Sequence, residues 1–147
     1  QLAPIDTVRV VDAIIETHQR TAERANVTIR RTGGEEAVVI ANERLLEQSL
    51  TSIVTNAIEA MPSGGTLEIV VAPKRRGRVK LTFVDTGRGI PPDLLKRVAD
   101  SYFTTKSRGL GLGLVLARGI IEKFGGSMEI ASVVGAGTRV TVNLRAA

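Results

Sequence analysis

Residues 85–113 read DTGRGIPPDLLKRVADSYFTTKSRGLGLG, and this stretch decides how the rest of the sequence is interpreted. An apolar run ends at Asp85, which Gly87 and Gly89 follow directly, and a second glycine cluster opens an apolar helix downstream. Glycine lets the backbone approach a ligand closely, and a helix N-terminus offers free N–H groups and a positive dipole end to phosphates. The pattern therefore predicts a nucleotide site in which Asp85 is the selective group and Gly109 to Gly113 hold the phosphates.

Two better-known phosphate loops do not fit these clusters. A Walker loop needs G-x-x-x-x-G-K-[ST], and neither cluster supplies the lysine and hydroxyl pair. A Rossmann fingerprint needs G-x-G-x-x-G between a strand and a helix. If Gly111 and Gly113 are its first two glycines, the third would be residue 116, which is Leu116. What remains is D-x-G-x-G, a lid at about 91–110, and G-x-G-x-G.

The composition fits one globular domain over residues 1–147. With 43% hydrophobic and 24% charged residues, the chain can bury a single core. The sequence has no cysteine, which excludes disulfides and thiolate metal sites, and no apolar run approaches the roughly 18 residues of a membrane span. Because the sequence begins at Gln1 without an initiator methionine, we expect it to be part of a longer protein.

The net charge of +5 comes largely from one basic cluster around Gly77. Its members are Lys74, Arg75, Arg76, Arg78 and Lys80. A solvated hairpin loop is the preferred interpretation over a nucleic-acid patch, because three Phe, one Tyr and no Trp leave few platforms for base stacking. No nucleic-acid partner is expected.

Hydrophobic periodicity and turn residues predict alternating helices and short strands. The expected helices are 5–25, 42–61, 93–99 and 112–124, and the expected strands are 27–31, 37–41, 66–72, 78–85, 127–133 and 138–144. His18, the only histidine, falls on the apolar stripe of the first helix, so we expect it in the core or against a partner segment. Together these elements predict an α/β fold, a two-layer sandwich whose mixed, mainly antiparallel sheet is covered on one face by helices.

A polar line borders the apolar stripe of the second helix. Ser49, Ser52, Asn56 and Glu59 recur at steps of three and four, and therefore share one side of that helix. An ordinary exposed helix edge would give the same pattern. The functional interpretation is that the line faces the nucleotide and that the Asn56 amide oxygen is a ligand for Mg²⁺, which prefers oxygen donors.

Five segments resemble, in the same order, the N box, first glycine box, F box, second glycine box and final G-x-G-T of sensor histidine kinases. They are 56–62 (NAIEAMP), 85–90 (DTGRGI), 102–106 (YFTTK), 109–114 (GLGLGL) and 135–138 (GAGT). The run NAIEAMP and the short lid with TTK resemble the nitrogen-regulation type. The resemblance covers nearly the whole chain and implies the Bergerat fold, which gyrase, Hsp90 and mismatch-repair ATPases share.

The resemblance also implies a role for each matching residue. Asp85 would accept a hydrogen bond from the adenine amino group, Asn56 would coordinate Mg²⁺, and Lys106 would approach the polyphosphate of ATP from the lid. Thr138 would support the adenine pocket. The complete set of implied nucleotide-binding residues is Asn56, Glu59, Ala60, Asp85, Gly87, Gly89, Ile90, Phe103, Thr104, Thr105, Lys106, Gly109, Leu110, Gly111, Leu112, Gly113 and Thr138.

The implied activity is transfer of the γ-phosphoryl group of Mg–ATP to a histidine, with Asn56 and Lys106 as the catalytic residues. His18 is followed by Gln19-Arg20-Thr21 and lacks the acidic neighbour of a phosphoacceptor histidine. The resemblance therefore implies that a helical phosphoacceptor domain of the same kinase is the direct partner and a response regulator the indirect one. It further implies a monomeric isolated domain, a homodimeric parent, and a cytoplasmic location with or without a membrane anchor in the parent.

One position departs from the pattern. Family members place a second asparagine four residues before the Mg²⁺ ligand, and related hydrolases place a water-activating glutamate there, whereas this sequence has Ser52. Serine cannot serve as that base, which argues against a dedicated ATPase. Two alternatives stay open, namely a related ATPase or switch protein and a regulatory module that holds nucleotide without transferring phosphate.

Overall fold

The structure is a computed structural model that describes residues 1–98 and 111–147. Its strands are β1 (Ala3–Asp6), β2 (Val27–Gly33), β3 (Val38–Ala41), β4 (Gly65–Val71), β5 (Arg78–Asp85), β6 (Ser127–Val133) and β7 (Gly137–Arg145). Its helices are α1 (Thr7–Arg24), α2 (Glu43–Glu59), α3 (Pro92–Val98) and α4 (Gly111–Lys123). In the described ranges no helix is both long and apolar enough to cross a membrane.

The strands form two sheets. A five-stranded sheet has the order β2-β4-β5-β7-β6, in which β2 and β4 run parallel and every other neighbouring pair is antiparallel. A small second sheet pairs β1 with β3. The predicted α/β class and mixed, mainly antiparallel sheet are thereby confirmed.

The start of the chain differs from the prediction of a helix over 5–25. Residues Ala3–Asp6 form a strand, and the helix begins at Thr7. Asp6 explains the boundary, because its Oδ1 accepts hydrogen bonds from Val8 N at 3.1 Å and from Ala37 N at 3.0 Å. One carboxylate thus caps α1 and ties it to the chain just before β3.

The core lies between the helices and one face of the larger sheet. Leu46, Leu50 and Ile53 of α2 and Leu114 and Ile121 of α4 are essentially inaccessible to solvent. The opposing strand residues include Leu67, Ile69, Leu81, Phe83, Val142 and Leu144, which are buried as well. Asn42 caps α2, since its Oδ1 accepts a hydrogen bond from Leu45 N at 3.0 Å.

This layer arrangement brings three polar side chains together at one end of the sheet. In the strand register Asp85 of β5 lies opposite Thr138 of β7, and Thr138 lies opposite Ser132 of β6. Side chains of directly opposed residues share one face of a sheet. Phe83 and Val140 form the next row of the same face, two residues away on β5 and β7, and both are buried against the helices. The three polar side chains therefore face the helix layer as well.

Candidate nucleotide-binding site

Asp85 is the buried carboxylate at the end of β5. The residue is only 6% exposed. Its Oδ1 accepts hydrogen bonds from Gly87 N at 2.8 Å and from Thr138 N at 3.2 Å. The other oxygen, Oδ2, accepts no hydrogen bond from residues 1–98 or 111–147. One oxygen is therefore fixed by the backbone, and the second is left to accept a hydrogen bond from a ligand.

Burial raises the pKa of the Asp85 carboxyl above its ordinary value, although the N–H groups of Gly87 and Thr138 act in the opposite direction. The folded chain therefore takes up this proton more readily than the unfolded chain does. The free energy of unfolding falls as the pH rises through the raised pKa, because the ionised carboxylate is poorly solvated in the fold. A hydrogen-bond donor on a ligand would offset the cost of burying this ionised carboxylate, and such perturbed groups are common in binding sites.

The glycines around Asp85 are required by close backbone contacts. A Cβ added at Gly87 would lie 2.4 Å from the carbonyl oxygen of Ala60, at the end of α2. A Cβ at Gly89, whose φ is +75°, would lie 2.3 Å from the carbonyl oxygen of Val133. The first glycine box thus packs between the end of α2 and the β6–β7 turn. These two contacts hold the segment beside Asp85.

The polar line on α2 does not act as one surface. Ser49 is inaccessible to solvent and donates its hydroxyl to Leu46 O at 2.8 Å, so the expectation that it faces a ligand is wrong. Glu59 is exposed at the last turn, and Ser52 is half-buried. Asn56 is 8% exposed, and its amide forms no hydrogen bond with any residue of the described ranges.

Asn56 fits a magnesium ligand by the chemistry of its side chain. Its amide oxygen accepts no hydrogen bond within residues 1–98 and 111–147, so the described part of the chain leaves this oxygen to a ligand. Within residues 1–98 and 111–147 no cluster of three or more His, Cys, Asp or Glu side chains could hold a metal ion. A single amide oxygen suits Mg²⁺, which is commonly held by one or two protein ligands together with waters and substrate phosphates.

The second glycine box opens a helix, as the sequence predicts, because α4 begins at Gly111. Gly113 faces α2, where an added Cβ would lie 4.0 Å from Ser52 Cβ. The remaining predicted residues of the lid and phosphate loop lie outside the described residues. They are Phe103, Thr104, Thr105, Lys106, Gly109 and Leu110.

Ser132 is a site residue that the sequence reasoning missed. Its Oγ accepts from Ile90 N at 2.7 Å and lies 2.8 Å from Thr138 Oγ1 and 3.0 Å from Gly137 O. Ile90 itself is 2% exposed. The turn glycine Gly135 was a usable signal, because a tight turn between β6 and β7 places residue 132 opposite 138.

Two further expectations concern residues away from this site. His18 is half-buried on α1, with Nδ1 2.9 Å from Ile14 O, so it is packed beside the core rather than inside it. The basic cluster is exposed on the β4–β5 turn and at the start of β5, as expected of a solvated surface segment. Lys74 donates to the carbonyl oxygen of Ala147 at 3.2 Å and Arg78 to that of Gly125 at 3.2 Å.

Comparison with known proteins gives consistent matches to this sequence and fold. The family described as "Histidine kinase-, DNA gyrase B-, and HSP90-like ATPase" matches residues 41–147. Sensor histidine kinase ZraS of Salmonella typhimurium is 35% identical over 144 residues, which covers 94% of this chain and 30% of that protein. Sporulation kinase A of Bacillus subtilis is 32% identical over 90% of this chain and 22% of its own length. The chain thus spans less than a third of either relative.

Solved structures share the fold at lower identity. The catalytic domain of histidine kinase ThkA superposes with a TM-score of 0.86 at 24% identity, covering 99% of this chain and 96% of that one. The same kinase in complex with the response regulator protein TrrA gives a TM-score of 0.81 at 22% identity, covering 99% of this chain and 42% of that one. These structures match the complete α/β arrangement described above.

Proposed function

Because the chain belongs to the histidine kinase-, DNA gyrase B- and HSP90-like ATPase family, we propose that it is the ATP-binding catalytic domain of a sensor histidine kinase. In this proposal it transfers the γ-phosphoryl group of ATP to a histidine on a separate helical phosphoacceptor domain of the same protein. The observation that carries the proposal is the buried Asp85 carboxylate. Its Oδ1 is held by two backbone N–H groups, and its Oδ2 accepts no hydrogen bond from residues 1–98 and 111–147.

Asp85 selects the base in this proposal. An ionised carboxylate accepts hydrogen bonds and donates none, so Oδ2 pairs with the amino group of adenine and repels the carbonyl oxygen that guanine has in its place. Thr138 and Ile90 lie beside Asp85 through the strand register and the Ser132 contact, and complete the base-binding end of the site. Gly87, Gly89, Glu59 and Ala60 form its margin.

The phosphate end combines the end of α2 with the start of α4. Bound ATP supplies the transferable phosphoryl group, and Mg²⁺ held by Asn56 offsets the charge of the phosphates. The backbone N–H groups from Gly109 to Gly113 receive the phosphates at the N-terminus of α4, and Lys106 adds a positive charge from the lid. The chain therefore acts by positioning and by charge compensation.

The partners follow from the reaction. A histidine must be supplied by the phosphoacceptor domain, and the phosphoryl group then passes to a response regulator. The complex of ThkA with response regulator protein TrrA, in which the kinase has the same fold as this chain, supports the second partner. We propose a monomeric isolated domain, a homodimeric parent kinase, and a cytoplasmic location for this domain.

Ser52 is the observation that bears on the alternative functions. It is half-buried on α2, one turn before Asn56, where a water-activating glutamate would stand in a related ATPase. A serine has no carboxylate to accept a proton from water at neutral pH. ATP hydrolysis is therefore the weaker candidate, and a module that holds nucleotide without transferring phosphate is the remaining one.

Calorimetric titration with a non-hydrolysable ATP analogue, with and without Mg²⁺, tests the proposal together with an assay of phosphate release from ATP. We expect binding that Mg²⁺ strengthens and negligible phosphate release, because Ser52 stands where a related ATPase would carry its water-activating glutamate. A chain that binds no nucleotide would contradict the kinase assignment. Rapid phosphate release would instead favour the ATPase alternative.

The basic cluster provides a matched surface control. Replacing Arg75 and Arg76 together by alanine removes two exposed charges from the β4–β5 turn, at the far end of β5 from Asp85. Exposed charges at that distance are screened by salt, so we expect the dissociation constant for the ATP analogue to stay within about twofold of the parent value. A larger loss of affinity would show that the cluster takes part in nucleotide binding.

A further inference from the structure

Ser132 connects three segments at the base-binding end of the site. It lies on β6, half-buried, with its side chain in the same row as Thr138 and Asp85. Its Oγ accepts from Ile90 N at 2.7 Å, lies 2.8 Å from Thr138 Oγ1 and lies 3.0 Å from Gly137 O. The hydroxyl therefore joins β6, the start of β7 and the end of the first glycine box.

The number of available hydrogens decides how these contacts are arranged. A serine hydroxyl has one donor hydrogen and can accept two hydrogen bonds. If Ser132 donates to Gly137 O, then Thr138 must donate to Ser132 Oγ, and all three contacts are made. If Ser132 donates to Thr138 instead, its only hydrogen is used there, and the 3.0 Å contact between Ser132 Oγ and Gly137 O has no hydrogen to form it. The first arrangement is therefore preferred.

We propose that Ser132 is a positioning residue of the nucleotide site, which accepts a hydrogen bond from the Thr138 hydroxyl and fixes the main chain at Ile90. This inference rests on the proposed function of the chain as an ATP-binding domain. With its proton engaged by Ser132, Thr138 presents only lone pairs to any further group that it meets. Asp85 Oδ2 is an acceptor in the same row.

The consequence is a base-binding end made of two acceptors. A group that meets both Asp85 and Thr138, either the amino group of the base or a water beside it, must donate hydrogen bonds. Adenine offers an amino group at this position, whereas hypoxanthine offers a carbonyl oxygen. Ser132 thereby contributes to the preference for adenine without contacting the nucleotide, because it acts through Thr138.

Two substitutions of nearly equal volume isolate the hydroxyl. Ser132→Thr keeps the oxygen and adds a methyl group, whereas Ser132→Val adds the same bulk without the oxygen, and both residues suit a β-strand. We expect Ser132→Val to weaken binding of the ATP analogue by about three- to tenfold, the loss typical of one or two hydrogen bonds, and Ser132→Thr to restore most of it. The analogue of inosine triphosphate should lose less, since Thr138 regains a free proton.

Amide hydrogen exchange measures the same hydroxyl independently of nucleotide. In Ser132→Val the Ile90 amide should exchange about tenfold faster or more, because its acceptor is gone, whereas the Gly87 amide bound to Asp85 Oδ1 should change little. A general loss of stability would accelerate both amides alike and would lower the affinities for both nucleotides in proportion. That result would overturn the positioning role, as would equal affinities for ATP in Ser132→Val and Ser132→Thr.

The parent chain separates this inference from the function on which it rests. A parent that fails to bind the ATP analogue contradicts the proposed function, and the nucleotide role of Ser132 with it. A parent that binds the analogue, combined with a Ser132→Val chain of unchanged affinity and unchanged Ile90 exchange, contradicts the Ser132 inference alone. If Ser132→Val does not fold, Ser132→Ala removes the same oxygen with less bulk and is judged by the same measurements.

Discussion

Replacing Asp85 with Asn is expected to weaken ATP binding by about an order of magnitude or more while the fold is retained. The N–H groups of Gly87 and Thr138, at 2.8 and 3.2 Å from Oδ1, require an acceptor, so the amide oxygen must take that place. The amide nitrogen then stands where Oδ2 was. Two donors would face each other at the adenine amino group, and an unmet buried polar group costs about 1–3 kcal/mol.

The same substitution should not destabilise the chain without ligand. Burial raises the pKa of Asp85, which means that the ionised carboxylate opposes folding at neutral pH and that the opposition disappears as the pH falls through the raised pKa. Asparagine carries no charge at any pH. We therefore expect the midpoint of thermal unfolding of Asp85→Asn at pH 7 to equal or exceed that of the parent chain. In acid, where the parent carboxyl is protonated, any gain in the midpoint should disappear.

Calorimetry and thermal unfolding over a pH series check both statements. Asp12→Asn is a matched control, because it removes a carboxylate that pairs with Arg31 on the α1–β2 side of the fold, away from Asp85. Its affinity for ATP should equal that of the parent. An Asp85→Asn chain that binds ATP as well as the parent would mean that adenine lies elsewhere.

Much of the fold could be predicted from local sequence signals. The apolar stripe of α2, its Asn42 cap and the two hairpins are encoded by neighbouring residues, and they agree with the structure. Strand β1 was missed because its four residues run directly into the apolar spacing of α1, and only its pairing with β3, more than thirty residues away, makes it a strand. A contact of that kind leaves no periodicity to read.

The site was predictable where a motif fixes the backbone and less so where side chains meet across strands. Asp85 ends its strand and opens the glycine box, so its place followed from the sequence. Ser49 shares a helical line with Asn56 but points into the core, and a helical period cannot separate the two. Ser132 acquires its role from Ile90 and Thr138, which belong to other segments and meet it only in the folded sheet.

Replacing Asn56 with Ala is expected to remove most of the gain in ATP affinity that Mg²⁺ provides. Loss of groups that merely orient metal ligands typically lowers metal affinity or activity by 10–100-fold, so loss of the ligand itself should cost about 100-fold. Binding measured without Mg²⁺ should stay close to the parent value. The fold should tolerate the change, because the Asn56 amide forms no hydrogen bond within the described ranges and its removal leaves no group of those ranges unpaired.

Titration calorimetry with and without Mg²⁺ measures the loss of affinity. Two further variants test whether the side-chain oxygen of residue 56 is responsible for it. Asn56→Asp keeps an oxygen ligand and should retain much of the Mg²⁺ dependence, since carboxylates bind Mg²⁺ readily. Thr55→Ala alters the neighbouring residue, whose hydroxyl donates to Thr51 O at 2.9 Å, and should leave Mg²⁺ dependence unchanged. If Asn56→Ala kept the full Mg²⁺ gain, the ion would be held by another group, and the buried amide would have a purely structural role.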